Sequence, residues 1–302
     1  MNATPTGSDL LPPLDPRATP TLGVRMSRSG EPWLHNEVAK RMAQRLPLIK
    51  QQPAHWVHWS PRLGGLASQK LLEQAYPLAQ VTVLEPLAGD LAWTQSHLQT
   101  PWWRVWGPRR RVAMQVSAPA DMVWANMGLH LQARPADWMR HWAQSLNDQG
   151  FVMFSCLGPD SLGELREVYR QAGWPAPAHA FTDMHDWGDM LLQSGFASPI
   201  MDMERITLTY ESPQALLKEL RTWGRNLHPT RYPACRGRGW LAALHRAMQT
   251  QMASPRHGGQ LALSLEVIYG HAFKAKRQIA VQLETQLSLA DMKAMLRKAP
   301  NA

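Results

Sequence analysis

Cysteine is nearly absent: 302 residues hold only Cys156 and Cys235. Two thiols without metal-ligand spacing exclude a disulfide framework and a cysteine-built metal site, and they suit a reducing compartment. Long apolar runs are missing too. No stretch approaches the roughly 20 residues that a spanning helix needs, which excludes a helical membrane protein. The opening MNATPTGSDLLPPLDPRATP lacks the charged start and apolar centre of a signal peptide, so the chain is expected to stay in the cytoplasm. Acid is in deficit, with 23 Asp and Glu against 32 Lys and Arg, a net charge of +9. That surplus favours an acidic partner, which nucleic acid, anionic lipid or an acidic carrier protein would each satisfy.

Glycine is scarce where an α/β nucleotide-binding fold usually concentrates it. HWVHW, residues 55–59, reads as a buried strand, SPRLGG as a turn and LASQKLLEQAY as a helix, followed by the β-branched strand VTVLEP. Glu85 lies 21 residues beyond Gly64, close to the spacing at which an acid after the second strand meets the ribose of a cofactor held at the first turn. Further along, RVAMQV, DMVWAN and FVMFSC read as strands and PADWMRHWAQSLN as a helix. Strands alternating with helices predict a mostly parallel sheet covered on both faces. Leu34, Val38, Met42 and Leu46 fall at four-residue steps and mark an amphipathic helix before the first strand.

The pattern predicts four regions: a disordered N-terminal arm over 1–30, an α/β core over 31–210, a helical cap inserted over 211–258, and a final strand and tail over 259–302. The cap is drawn from SPQALLKELRTWGRNL and WLAALHRAMQTQM, between the strands PIMDMERITLTY and LALSLEVIYGHAFKA. Such an insertion stands over the carboxyl edge of the sheet, where open α/β folds bind ligands.

Three blocks carry a family resemblance: FSCLGPDSLGELREVY after the fifth strand, DMVWANMGLHL, and FTDMHDWGDMLLQSGFASPIMDMERITLTY. They resemble the malonyl-[acyl-carrier protein] O-methyltransferases of biotin synthesis. They also resemble a related branch, the methyltransferase-like assembly factors of mitochondrial complex I, whose N-terminal helix is similar to PWLHNEVAKRMAQRL. The resemblance spans roughly residues 32 to 275 and implies the Rossmann-like class I S-adenosylmethionine-dependent methyltransferase fold. It also implies S-adenosyl-L-methionine as cofactor and acyl carrier protein, or another acidic protein, as partner. The departure is at the turn. Where that fold reads an acid and three spaced glycines, this chain has His58, Ser60, Arg62 and Gly64. Two readings follow, an active methyltransferase, or a binding or assembly protein of the same fold with an eroded cofactor loop.

The cofactor-side candidates are Gly64 and Gly65, Glu85, Asn126 after the fourth strand, and Arg62, which would either pair with the cofactor carboxylate or fill the pocket. The substrate-side candidates are Arg225, His228 and Arg231 in RTWGRNLHPTR, since arginine suits a bidentate grip on a carboxylate. Asp183, His185 and Asp186 are read as a helix start and not as metal ligands, so no metal site is assigned. PWWRVWGPRRR at 101–111 interleaves aromatics and cations as single-strand nucleic-acid binders do. Fourteen tryptophans spread along the chain point to packing instead, which ranks nucleic acid below a carrier protein.

Overall fold

A computed structural model describes residues 11–27, 32–98 and 110–276. The first ten residues, positions 28–31, most of the Trp- and Arg-rich segment and the tail beyond 276 lie outside the described residues. In chain order the elements are α1 (Leu22–Ser27), α2 (Trp33–Ala43), β1 (His55–Trp59), α3 (Pro61–Gly64), α4 (Ala67–Ala75), β2 (Gln80–Leu84), α5 (Ala88–His97), β3 (Arg110–Ala113) and β4 (Ala120–Ala125). There follow α6 (Pro135–Ser145), β5 (Leu146–Leu157), α7 (Gly163–Gln171), α8 (Met184–Gln193), β6 (Phe196–Tyr210), α9 (Pro213–Trp223), α10 (Arg238–Gln251) and β7 (Leu261–Lys274).

Seven strands form one sheet in the order β3-β2-β1-β4-β5-β7-β6. The first five are parallel, and β7 runs antiparallel between β5 and β6. Strand order reverses between β1 and β4, so the crevice at their carboxyl ends is the place where such a sheet receives a ligand. The apolar runs of the central strands are explained by burial on both faces. Along β1 the side chains alternate: Trp56 joins the core beneath α2 and α4, while Val57 and Trp59 join the core beneath α6 and α8. Trp59 meets Trp138 and Trp142 edge-on, with ring centroids 5.7 and 6.1 Å apart. These offset geometries are favourable for aromatic pairs.

Helix starts follow the local chemistry. Ser212 accepts the Ala215 N–H ahead of Pro213 at the first position of α9, and Asp183 accepts the His185 N–H at the start of α8. Helices α9 and α10 lie between β6 and β7 in the chain, as the sequence leads one to expect.

Two features shape the site, and the second departs from expectation. The chain passes from β3 to β4 through residues 114–119 with no helix, although a parallel crossover usually carries one. The face of the sheet beside α6 is therefore left partly open. The second concerns the supposed disordered arm. Residues 11–27 hold a 3-10 turn and α1, with Leu22 and Met26 buried against Leu63, Leu131 and Leu227. Ala18, Leu22 and Met26 recur at four-residue steps, so one apolar stripe is enough to dock a segment whose composition otherwise reads as polar and proline-rich. Asp15 fastens it further, through its N–H to the Leu227 carbonyl and a 2.8 Å ion pair with Arg231.

Candidate active site

The turn after β1 is built without its usual glycines. Ser60 takes the left-handed conformation itself, at φ 46° and ψ 56°, which costs a residue with a Cβ about 1–2 kcal/mol. Its carbonyl accepts the Leu63 and Gly64 N–H groups, and its own N–H reaches the Leu84 carbonyl. His58, at the position where the resemblance leads one to expect an acid, points to α4. Its Nδ1 donates to Gln69 Oε1 at 2.7 Å and its Nε2 accepts from Ser68 at 3.1 Å. Burial lowers the His58 pKa to about 4, so the ring is neutral.

Glu85 is buried at the end of β2 and turned back on this loop. One carboxylate oxygen accepts the Arg62 N–H at 2.8 Å and the Thr94 hydroxyl at 2.9 Å. Desolvation raises its pKa to about 7, partly offset by those two hydrogen bonds. The Arg62 side chain turns toward α5. Its guanidinium pairs with Asp90 at 3.1 Å, donates to the Gly89 carbonyl and lies over the Trp93 ring. Asp90, in the first turn of α5, supplies a buried carboxylate that holds the cation beside the crevice.

Gly64 is required by close packing inside the protein, because a Cβ there would stand 2.4 Å from the Asn126 carbonyl oxygen. Gly65 has φ +88°, a conformation glycine adopts freely. The Asn126 amide donates to the Gly64 and His35 carbonyls and accepts the Ser155 hydroxyl. Arg62, Gly64, Glu85 and Asn126 are thus brought together at one edge of the sheet, as a network that fixes the loop. The three cap candidates are elsewhere. Arg231 holds Asp15, the His228 ring accepts the Thr230 N–H, and Arg225 donates to the Arg221 and Gly224 carbonyls.

A cavity of about 770 Å³ opens at the carboxyl ends of β1, β2 and β3. Its walls include Trp59, Ser60, Leu84, Leu87, Asp90 and Met114, with Trp138 on α6 and Thr19 and Pro20 of the N-terminal segment above. None of the eight residues singled out from the sequence lines it. Asp90, the acid that does, stands five positions beyond Glu85 in the first turn of α5; that neighbouring acid was the available signal.

The volume is that of a site for a nucleoside-sized ligand, and the place is the switch point of the sheet. A protein from Gallionella capsiferriformans named malonyl-[acyl-carrier protein] O-methyltransferase is 37% identical over 254 residues, covering 80% of this chain and 84% of its own length. The chain belongs to the malonyl-[acyl-carrier protein] O-methyltransferase family. A second member, from Laribacter hongkongensis, is 34% identical over 80% of this chain and 82% of its own. Among solved structures, the YcgJ protein of Bacillus subtilis superposes with a TM-score of 0.50 at 11% identity, over 79% of this chain and 98% of that one. That likeness concerns the fold alone. No family model matches the chain. Family membership makes the cavity the place to test for S-adenosyl-L-methionine, and the residues present fit that group. The Arg62 side chain is absent from the walls, the aromatic and aliphatic walls offer a slot for a flat heterocycle, and Ser60 and Asp90 supply polar groups.

Proposed function

We propose that this chain is an S-adenosyl-L-methionine-dependent O-methyltransferase that esterifies the free carboxylate of a malonyl group borne by acyl carrier protein, a step of biotin synthesis. The observation that carries the reading is the coincidence of family membership over four-fifths of the chain with a ligand-sized cavity at the switch point. Trp59, Leu87 and Met114 would hold the adenine, and Asp90 would accept hydrogen bonds from the ribose hydroxyls. Glu85, Arg62, Gly64, Gly65 and Asn126 would act one step back, by fixing the Ser60 turn from behind. Arg231, whose guanidinium also donates to the His228 carbonyl, would serve the substrate side by holding the N-terminal roof through Asp15.

When bound, the cofactor supplies an electrophilic methyl group on a sulfonium. The acceptor carboxylate is already ionised near neutral pH, so the protein need not provide a base. Its task is to hold donor and acceptor in line and to keep water out, and proximity of that kind is worth up to roughly 7–11 kcal/mol. The roof formed by Thr19 and Pro20, anchored by the buried Leu22, suits that task, since it covers part of the crevice. Intact-protein mass spectrometry of malonyl-carrier incubated with chain and cofactor is expected to show one added methyl group. A carrier of unchanged mass, under conditions where the chain binds S-adenosylhomocysteine, would instead favour the assembly-protein reading.

A further inference from the structure

The loop between α7 and α8 delivers one buried imidazole to the place where three segments meet. His179 is 3% exposed, and both of its ring nitrogens are engaged. Nε2 donates to the His130 carbonyl at 3.2 Å, and Nδ1 accepts the Leu227 N–H at 3.2 Å. A carbonyl only accepts and a backbone N–H only donates, so the two partners fix the tautomer. Burial keeps the ring neutral, lowering its pKa to about 4. Behind it, the Arg166 guanidinium donates to the Ala178 and His179 carbonyls at 3.2 and 2.7 Å and lies over Phe181, whose ring meets that of His179 edge-on at 5.0 Å. The imidazole is thus held firmly on its own side. The groups it joins are those to which the roof of the cavity is fastened. Leu227, in the loop between α9 and α10, receives the Asp15 N–H on its carbonyl at 2.8 Å. His130 precedes Leu131, whose carbonyl receives the Thr19 hydroxyl at 3.4 Å, and the chain runs on into Gln132 and Ala133 of the cavity wall.

We propose that His179 is a positioning residue for the methyl-transfer site, setting the N-terminal roof and the wall after β4 against one another through the cap loop. The inference rests on the reading of the cavity as the cofactor site. His179 does not line the cavity; its effect passes through Leu227 to Asp15 and through His130 to the wall. The bond to Leu227 governs the roof, because Leu227 also packs with Leu22, Leu63 and Leu131 beneath it. A buried N–H that loses its acceptor costs more than the hydrogen bond contributes, so the cap loop would move to satisfy it and carry the Asp15 anchor along.

The test uses two variants that each keep one of the bonds. Asparagine carries its amide oxygen near the place of Nδ1, so His179→Asn retains an acceptor for Leu227; glutamine carries its amide nitrogen near the place of Nε2, so His179→Gln retains the donor to His130. Trypsin cleavage after Arg17, an exposed residue of the roof, reads opening of the roof in the unliganded chain, and urea midpoints read global stability. At matched midpoints, His179→Gln is expected to be cut about tenfold faster than wild type, within the range for a buried N–H that loses its acceptor, and His179→Asn within about threefold of wild type. S-adenosylhomocysteine should slow the cut in wild type and in the asparagine variant. Equal cutting of all three chains, or of the two variants, overturns the positioning role. Should either variant fail to fold, Arg166→Gln, which frees the ring from behind, is expected to speed the same cut, and an unchanged rate there overturns the role as well. Absence of protection by S-adenosylhomocysteine in wild type, with the difference between the variants retained, overturns the cofactor reading and leaves His179 as the residue that sets the roof.

Discussion

Ser60 and Arg62 show how a loop can lose glycines and keep its shape. Ser60 accepts a left-handed backbone, and the strain is borne because Leu84, Leu63 and Gly64 all hydrogen-bond to its main chain. Arg62 is accommodated because Asp90 and Trp93 give its side chain a place away from the crevice. A direct consequence is that Ser60→Gly should stabilise the fold by about 1 kcal/mol, read as a higher urea midpoint with unchanged slope. A lower midpoint would mean that the hydroxyl makes a contact worth more than the strain. The loop's departure was legible in the sequence, but its resolution was not. His58, Arg62 and Glu85 were placed by position in a frame, whereas their partners Gln69, Asp90 and Thr94 come from helices whose rotation about their axes no spacing rule supplies.

At the scale of elements, the strands and most helices were legible because burial imposes a period. The runs HWVHW, DMVWAN and FVMFSC became the adjacent central strands β1, β4 and β5. RVAMQV and DMVWAN were also read as successive strands with no helix between them, as β3 and β4 are. The N-terminal segment was hidden by its prolines, although its stripe of Ala18, Leu22 and Met26 was there to be read. Docking of that stripe makes the roof part of the site. Leu22 is wholly buried, so Leu22→Ala should cost about 2–5 kcal/mol locally and loosen the segment that brings Thr19 and Pro20 to the cavity. Expected outcomes are faster proteolysis near residue 20 and weaker S-adenosylhomocysteine binding. Unchanged affinity with faster cleavage would detach the roof from the cofactor site.

Across the whole molecule, buried titratable groups oppose one another. Burial holds His35, His58 and His179 near a pKa of about 4, against 6.5 for the free group. Between those values the unfolded chain takes up protons that the folded chain refuses, so each histidine removes stability as the pH falls from about 6.5 to 4. Glu85 acts in the other direction. Its folded pKa of about 7 exceeds the 4.5 of a free glutamate, so the folded state binds its proton first and gains stability as the pH falls from about 7 to 4.5. His130 and His271 are lowered by burial as well, so the histidines outnumber the opposing carboxyl and the net effect of acid is a loss of stability. Urea midpoints should therefore drop steeply below pH 6. Glu85→Gln should raise the midpoint at pH 8 and steepen the acid-side fall, while a profile parallel to wild type would show that Glu85 is not the opposing group.

The central claim is that the cavity beside Trp59 and Asp90 receives S-adenosyl-L-methionine despite the altered glycine turn. Calorimetric titration of S-adenosylhomocysteine into the wild-type chain and into Asp90→Asn tests it most directly. One-to-one binding by wild type, weakened about tenfold by the substitution as expected for loss of a charge-assisted hydrogen bond, is the predicted result. Absence of binding by the wild-type chain, or binding that Asp90→Asn leaves untouched, would contradict the account.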